Sequence, residues 1–174
     1  LMDLCVTDAA IGTVWDPIAV RFCIAAGEGA QLQLRFGGKA CGTAGGPVDA
    51  LVRVKKVALQ AVQSFGDSIV PMGDSVVVEV AGIDVILNSN RAQAFSPDLF
   101  SNMGIDPLQK RILIVKSTNH FYGAFSKIAE HIVYVDCGAP YPSDPKTNGY
   151  TKLKRAIWPI VENPHAIAAE VEGA

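Results

Sequence analysis

The fold is decided at Ser75-Val-Val-Val-Glu-Val80 and Ile83-Asp-Val-Ile-Leu87, two β-branched runs that only Ala81-Gly82 separates. Two residues with a glycine in second place have the length and the chemistry of a tight hairpin turn. We therefore expect an antiparallel pair of strands here. Apolar and polar residues alternate strictly over Gln31–Phe36, which predicts another strand with one solvated face. A long β-leaning stretch, Val48–Phe65, follows it.

Two helices are predicted on either side of these strands. Asp16-Pro17 is a good helix start, because aspartate caps the first turn and proline is tolerated within it. Gly27 is a typical helix end. A short helix is expected from Ser96-Pro97-Asp98 to Gly104. The apolar face of the first helix has helical spacing and consists of Ala19, Phe22, Cys23 and Ala26.

A strand, a helix and a second strand are predicted between residues 112 and 135. Ile112–Val115 and Ile132–Val135 are short apolar runs, and Phe121, Phe125 and Ile128 mark one face of a helix between them. Such a β-α-β unit joins parallel strands by a right-handed crossover. The predicted fold class is therefore α/β, with a mixed, partly antiparallel sheet flanked by helices in a single domain over residues 1–174.

The composition excludes several classes of protein. With 174 residues, 49% of them hydrophobic and 18% charged, the chain buries roughly 70% of its unfolded surface, so disorder is excluded. A net charge of −2 without a basic block argues against nucleic acid as a partner, and no apolar run is long enough to span a membrane. The four widely spaced cysteines, with no C-x-x-C pair, indicate reduced thiols and a cytoplasmic location.

Two further features suggest a neighbouring domain. The chain begins at Leu1 without an initiator methionine or a signal segment, as a cut inside a longer polypeptide would. Its mean hydropathy of +0.26 is high for a domain with few charges, which favours an interface that another domain covers.

The most informative polar run is Lys116-Ser117-Thr118-Asn119-His120, which lies between a predicted parallel strand and a helix. Open α/β sheets bind ligands at this position, and a helix amino terminus attracts an anion such as a carboxylate. The alternative is that Ser117, Thr118 or Asn119 only caps the helix and that His120 is a partly buried, hydrogen-bonded structural residue.

Two other polar segments are weaker candidates. Asn88–Arg91 follows the hairpin, and an arginine at a strand end can bind a carboxylate with two hydrogen bonds, although a solvated turn is the alternative. The glycine-rich loop from Gly37 to Gly46, which contains Lys39, matches no nucleotide-binding motif. The three histidines lie far apart in sequence, so neither a metal site nor a catalytic set is predicted within the chain.

A family resemblance is carried by segments that occur in one order along nearly the whole chain. They resemble the C-terminal domain of the MlrC (microcystinase C) type metallopeptidases from about residue 12 to residue 159. The segments are Val14-Trp15-Asp16-Pro17, Ala25–Ala30, Leu34–Lys39, Gly82–Val85, Asn88–Arg91, Gly104-Ile105-Asp106-Pro107 and Val115–Phe121.

This resemblance implies a two-domain, zinc-dependent peptidase or amidohydrolase whose zinc ligands and catalytic acid–base lie in an N-terminal domain. That domain, absent from this chain, and a small peptide or amide substrate are the implied partners, and homo-oligomerisation is left open. The resemblance implies no catalytic residue and no metal ligand here. The substrate-binding residues that it implies are Lys39, Arg91, Ser117, Asn119 and His120.

Two alternatives from other classes stay open. The chain could act alone as a binding module for a small anion at the helix that follows Asn119, or it could serve only as a structural or oligomerisation domain. The segments 40–45 and 141–150 depart from the family pattern, so the resemblance does not identify the substrate.

Overall fold

The computed structural model describes residue 2 and residues 5–40, 45–135 and 144–165. The chain forms two compact units, residues 1–132 and 133–174. The prediction of one domain over residues 1–174 therefore stays a prediction. No helix within the described ranges has the length and apolarity that crossing a membrane requires.

A mixed sheet of six strands forms the first unit, in the order β2-β3-β4-β5-β1-β6. The strands are β1 (Ala9–Trp15), β2 (Gln31–Phe36), β3 (Val48–Phe65), β4 (Ser68–Val80), β5 (Ile83–Asn88) and β6 (Ile112–Val115). Strands β2 to β5 pair antiparallel, whereas β1 pairs in parallel with both β5 and β6. The mixed, partly antiparallel α/β fold is thereby confirmed, including the hairpin of β4 and β5.

Helices cover both faces of the sheet. The helix α1 (Pro17–Ala26) packs on one face, and α2 (Asp98–Ser101) and α3 (Tyr122–Phe125) pack on the other. The core under α1 includes Val20, Cys23, Leu34, Val54, Val78, Val85 and Leu87. The core on the opposite face includes Ala10, Met72, Val77, Ile86, Leu99, Phe100, Phe121 and Phe125.

The β3–β4 hairpin is unusually long, since β3 alone has 18 residues. Its register shifts twice between Ala58 and Val62, and Gln60 adopts a positive φ of 55° there. We call the end of this hairpin, residues 59–71, the β-arm. The β-arm extends beyond β2 and carries Phe65 near its turn.

The predicted β-α-β crossover over residues 112–135 is wrong in its second half. Ile132–Val135 forms no strand, and Val133 and Val135 are 79% and 80% exposed. A strand needs a neighbour for its backbone hydrogen bonds, and β-branched composition alone does not supply one. The parallel pairs come instead from β1, which lies between β5 and β6.

The second unit is described over residues 133–135 and 144–165. It contains a short 3-10 turn, Pro145–Thr147, in which the Asp144 carboxylate accepts a hydrogen bond from the Lys146 N–H at 2.9 Å. The alternatives of a short helix or a frayed end for Ala166–Ala174 lie outside the described residues.

Candidate functional site

The carboxyl ends of three parallel strands meet at one edge of the sheet, which we call the carboxyl edge. Trp15 ends β1, the segment Ser89–Arg91 follows β5, and Lys116 follows β6. Because β1 lies between the other two strands, their end segments are brought together there. This is the place where open α/β sheets bind ligands.

Hydrogen bonds and close packing fix the segment after β5. The Trp15 indole N–H donates to the Ser89 carbonyl at 3.0 Å, and the Asn90 N–H donates to the Met72 carbonyl at 3.0 Å. A Cβ atom at Gly73 would clash with the Ser89 and Asn90 side chains, and its φ is +70°. Glycine at this position therefore lets the turn lie directly on β4.

Arg91 and Lys116 place two positive charges at the carboxyl edge. The Arg91 guanidinium lies 5.9 Å from the centroid of the Trp15 ring, a cation–π geometry. Desolvation and, second, the charge of Arg91 lower the pKa of Lys116. In the part of the chain that the structure describes, neither cation forms an ion pair. Together the two cations can attract an anion to this edge.

Lys39 lies near the same carboxyl edge because it forms an ion pair with Asp16, the residue after Trp15. The Asp16 carboxylate is nearly fully buried, caps α1 by accepting from the Ala19 N–H at 3.0 Å, and accepts from the Gly37 N–H at 3.0 Å. The Lys39 ammonium pairs with it at 2.8 Å. The charge of Lys39 is therefore already compensated by Asp16.

Gln93 organises the polar run after β6. Its side-chain carbonyl accepts from the Ser117 hydroxyl at 3.3 Å and from the Thr118 N–H at 3.2 Å. The helix-capping alternative for this run is wrong, because Phe121 is the N-cap of α3 and no side chain caps that helix. Asn119 is exposed, and its carbonyl accepts from the Tyr122 N–H at 3.1 Å.

His120 lies against two aromatic rings. Its imidazole is 5.5 Å from the Phe65 ring and 5.7 Å from the Phe95 ring, both edge to face, and the two phenylalanine rings are 4.7 Å apart. We call these three side chains the aromatic cluster. The alternative of a hydrogen-bonded structural histidine fits poorly, because His120 is exposed.

Sequence reasoning missed four residues of this region: Trp15, Phe65, Gln93 and Phe95. Trp15 had a usable signal, since it ends an apolar strand directly before a helix cap. The other three belong to no motif, and they become relevant only through contacts with segments distant in sequence.

The described residues do not fit a metal ion, and the Cys23 thiol does not fit a reactive nucleophile. Within those ranges no three His, Cys, Asp or Glu side chains converge as a metal site requires. Burial, and then the charge of Asp16, raise the pKa of the Cys23 thiol to about 11, so it carries almost no thiolate near neutral pH. Of the other cysteines, Cys5 is exposed and free, and Cys41 and Cys137 lie outside the described residues.

Comparison with known proteins agrees with this architecture. The family described as MlrC C-terminus matches residues 1–152. Microcystinase C from Sphingomonas sp. is 31% identical over 160 residues, which are 92% of this chain and 31% of that protein. This chain superposes on the crystal structure of a proposed metallopeptidase from Mesorhizobium sp. BNC1 with a TM-score of 0.65 and 22% sequence identity. The match covers 70% of this chain and 25% of that one. This chain thus spans about a third or less of either protein. The likeness to the Mesorhizobium crystal structure shows a shared fold.

Proposed function

This chain belongs to the MlrC C-terminal family, and from that premise we propose that it is the substrate-contacting domain of a zinc-dependent metallopeptidase or amidohydrolase. In this proposal its carboxyl edge binds the carboxylate of a small peptide or amide substrate. Hydrolysis takes place on residues of an N-terminal domain in the same polypeptide. The location we propose is cytoplasmic, which is supported by the free thiols of Cys5 and Cys23.

The observation that carries the proposal is the pair of cations at the carboxyl edge. Arg91 follows β5 and Lys116 follows β6, and β1 lies between these two strands. Two positive charges at one end of the sheet favour a ligand of the opposite charge. The planar guanidinium of Arg91 can donate two parallel hydrogen bonds to a carboxylate. It lies over the face of the Trp15 ring, which favours this position.

Zinc enters this proposal only through the rest of the longer protein. A hydrolytic zinc needs about three protein ligands, and the described residues gather no such set. In this proposal the zinc and its chemistry therefore belong to the other domain. The role of this chain is to hold the substrate in a fixed orientation, which lowers the entropic part of the barrier.

The test is to replace Arg91 in the full-length protein. We expect Arg91→Ala to raise KM by about tenfold with kcat nearly unchanged, because an interaction present in both ground and transition state is lost. Arg91→Lys keeps the positive charge but not the planar guanidinium. Its KM should therefore lie between that of the native protein and that of Arg91→Ala. Arg53→Ala, an exposed arginine on β3, is the matched control and should leave KM unchanged. An unchanged KM for Arg91→Ala would overturn the proposal.

A further inference from the structure

The segments after β5 and β6 run side by side from the cations to the aromatic cluster. Gln93 forms hydrogen bonds with Ser117 and Thr118, and the Phe95 ring packs against the His120 imidazole. The Ala94 N–H also donates to the Lys116 carbonyl at 3.1 Å. The two loops therefore form one surface whose chemistry changes in order from cationic through polar to aromatic.

The length of this surface limits what it can hold. Phe95 lies four positions after Arg91, and His120 lies four positions after Lys116, so the two ends lie at most about 14 Å apart. A dipeptide or tripeptide has this length. In the polar middle, the Gln93 amide accepts from the Ser117 and Thr118 hydroxyls, and the remaining donor and acceptor positions of these groups suit a peptide backbone.

The aromatic end is built by a third segment. Phe65 reaches the cluster from the β-arm, and the Gln63 side chain of this arm holds the backbone of the loop after β5. The Gln63 side chain donates to the Gln93 carbonyl at 2.7 Å and accepts from the Phe95 N–H at 2.9 Å. Phe65 nevertheless remains 45% exposed. Part of its apolar ring is thus free to contact a ligand at the aromatic end of this surface.

From this arrangement we infer that Phe65, Phe95 and His120 determine specificity, by selecting peptides with a bulky apolar or aromatic side chain next to the residue that carries the carboxylate. This inference rests on the proposed function, because the carboxylate anchors the ligand at Arg91. Aromatic pairs are favoured in edge-to-face geometry, and the ring of a ligand can continue the pattern already present in the cluster.

The experiment compares two probes on this chain by isothermal titration calorimetry. N-acetyl-Phe-Gly carries an aromatic side chain before the terminal carboxylate, and N-acetyl-Ala-Gly lacks it. We expect about tenfold tighter binding of the phenylalanine probe, as one additional aromatic contact provides. Phe65→Ala should reduce this ratio to below about threefold and leave binding of the alanine probe unchanged. Ile69→Ala, an exposed apolar side chain on the same arm, should leave the ratio intact.

The outcomes separate this inference from the proposed function. If both probes bind equally and Arg91→Ala weakens both, the selectivity is overturned and carboxylate binding stands. If Phe65→Ala weakens both probes to the same extent, Phe65 only supports the β-arm, and the inference again fails. If neither probe binds, or if their C-terminal amides bind as well as the acids, both proposals are overturned.

Discussion

Asp16 holds three groups with a single buried carboxylate: the first turn of α1, the backbone of Gly37 and the Lys39 ammonium. We expect Asp16→Ala to lower the free energy of unfolding by about 2–3 kcal/mol, because it removes a helix cap and leaves buried donors unpaired. Urea denaturation measures this loss. The matched control is Asp49→Ala, whose carboxylate pairs with Arg35 at 2.6 Å on an exposed surface and should matter little. Equal losses in both variants would contradict the argument.

Cys23 makes stability depend on pH in a defined window. Burial first and the charge of Asp16 second raise its pKa from 9.0 to about 11. Between these values the unfolded chain releases a proton that the folded chain retains, so the contribution is complete below pH 9 and is lost as pH rises to 11. We expect the stability difference between the native protein and Cys23→Ala to shrink by at most about 1.4 kcal/mol per pH unit there.

The check for Cys23 is urea denaturation of both proteins at several pH values across that window. Comparing the two cancels the titration of other groups that both share. Cys5→Ala, which removes an exposed thiol, is the control and should show no such convergence. A difference that stays constant with pH would refute the assignment.

At the scale of elements, α2 covers the backbone of the β-arm. The Asp98 carboxylate accepts from the Ser64 N–H at 3.0 Å, and the Asn102 side chain donates to the Val62 carbonyl at 3.0 Å. Exposed strand edges invite pairing with other chains. We expect Asp98→Ala to destabilise the protein by about 1–2 kcal/mol, to speed amide exchange at Ser64 and to promote self-association.

Hydrogen exchange and size-exclusion chromatography test the prediction for Asp98. Asp106→Ala is a suitable control, since Asp106 accepts from the exposed Leu108 N–H at 2.9 Å and supports no strand. That variant should leave Ser64 exchange unchanged. Unaltered Ser64 exchange in Asp98→Ala would show that α2 does not protect the arm.

Elements defined by local patterns could be predicted from the sequence, and elements defined by distant pairing could not. Strand β2 occurs at Gln31–Phe36 as predicted, because strict alternation is visible within six residues. The end of α1 before Gly27 is equally local. Ile132–Val135 has similar β-branched composition, yet no strand forms, because composition does not state whether a neighbouring strand is present.

At the scale of the whole molecule, the two ends of the parallel strands differ in charge. At the amino ends, the buried Asp84 carboxylate pairs with Lys55 at 2.7 Å and with Lys110 at 3.1 Å. At the carboxyl ends, Arg91 and Lys116 have no such partner among the described residues. The sequence places each cation at a strand end, but their proximity depends on β1 lying between β5 and β6, which no local pattern reveals.

The proposed dependence on another domain can be tested on the isolated chain through its zinc content. Because the described residues offer no set of three metal ligands, we expect clearly less than one zinc per chain by plasma mass spectrometry and no change in Tm with a chelator. The full-length protein should retain about one zinc per chain or more, and the chelator should abolish its hydrolysis of peptide amides. Stoichiometric zinc together with hydrolysis in the isolated chain would overturn this division, since the ligands would then lie within these residues.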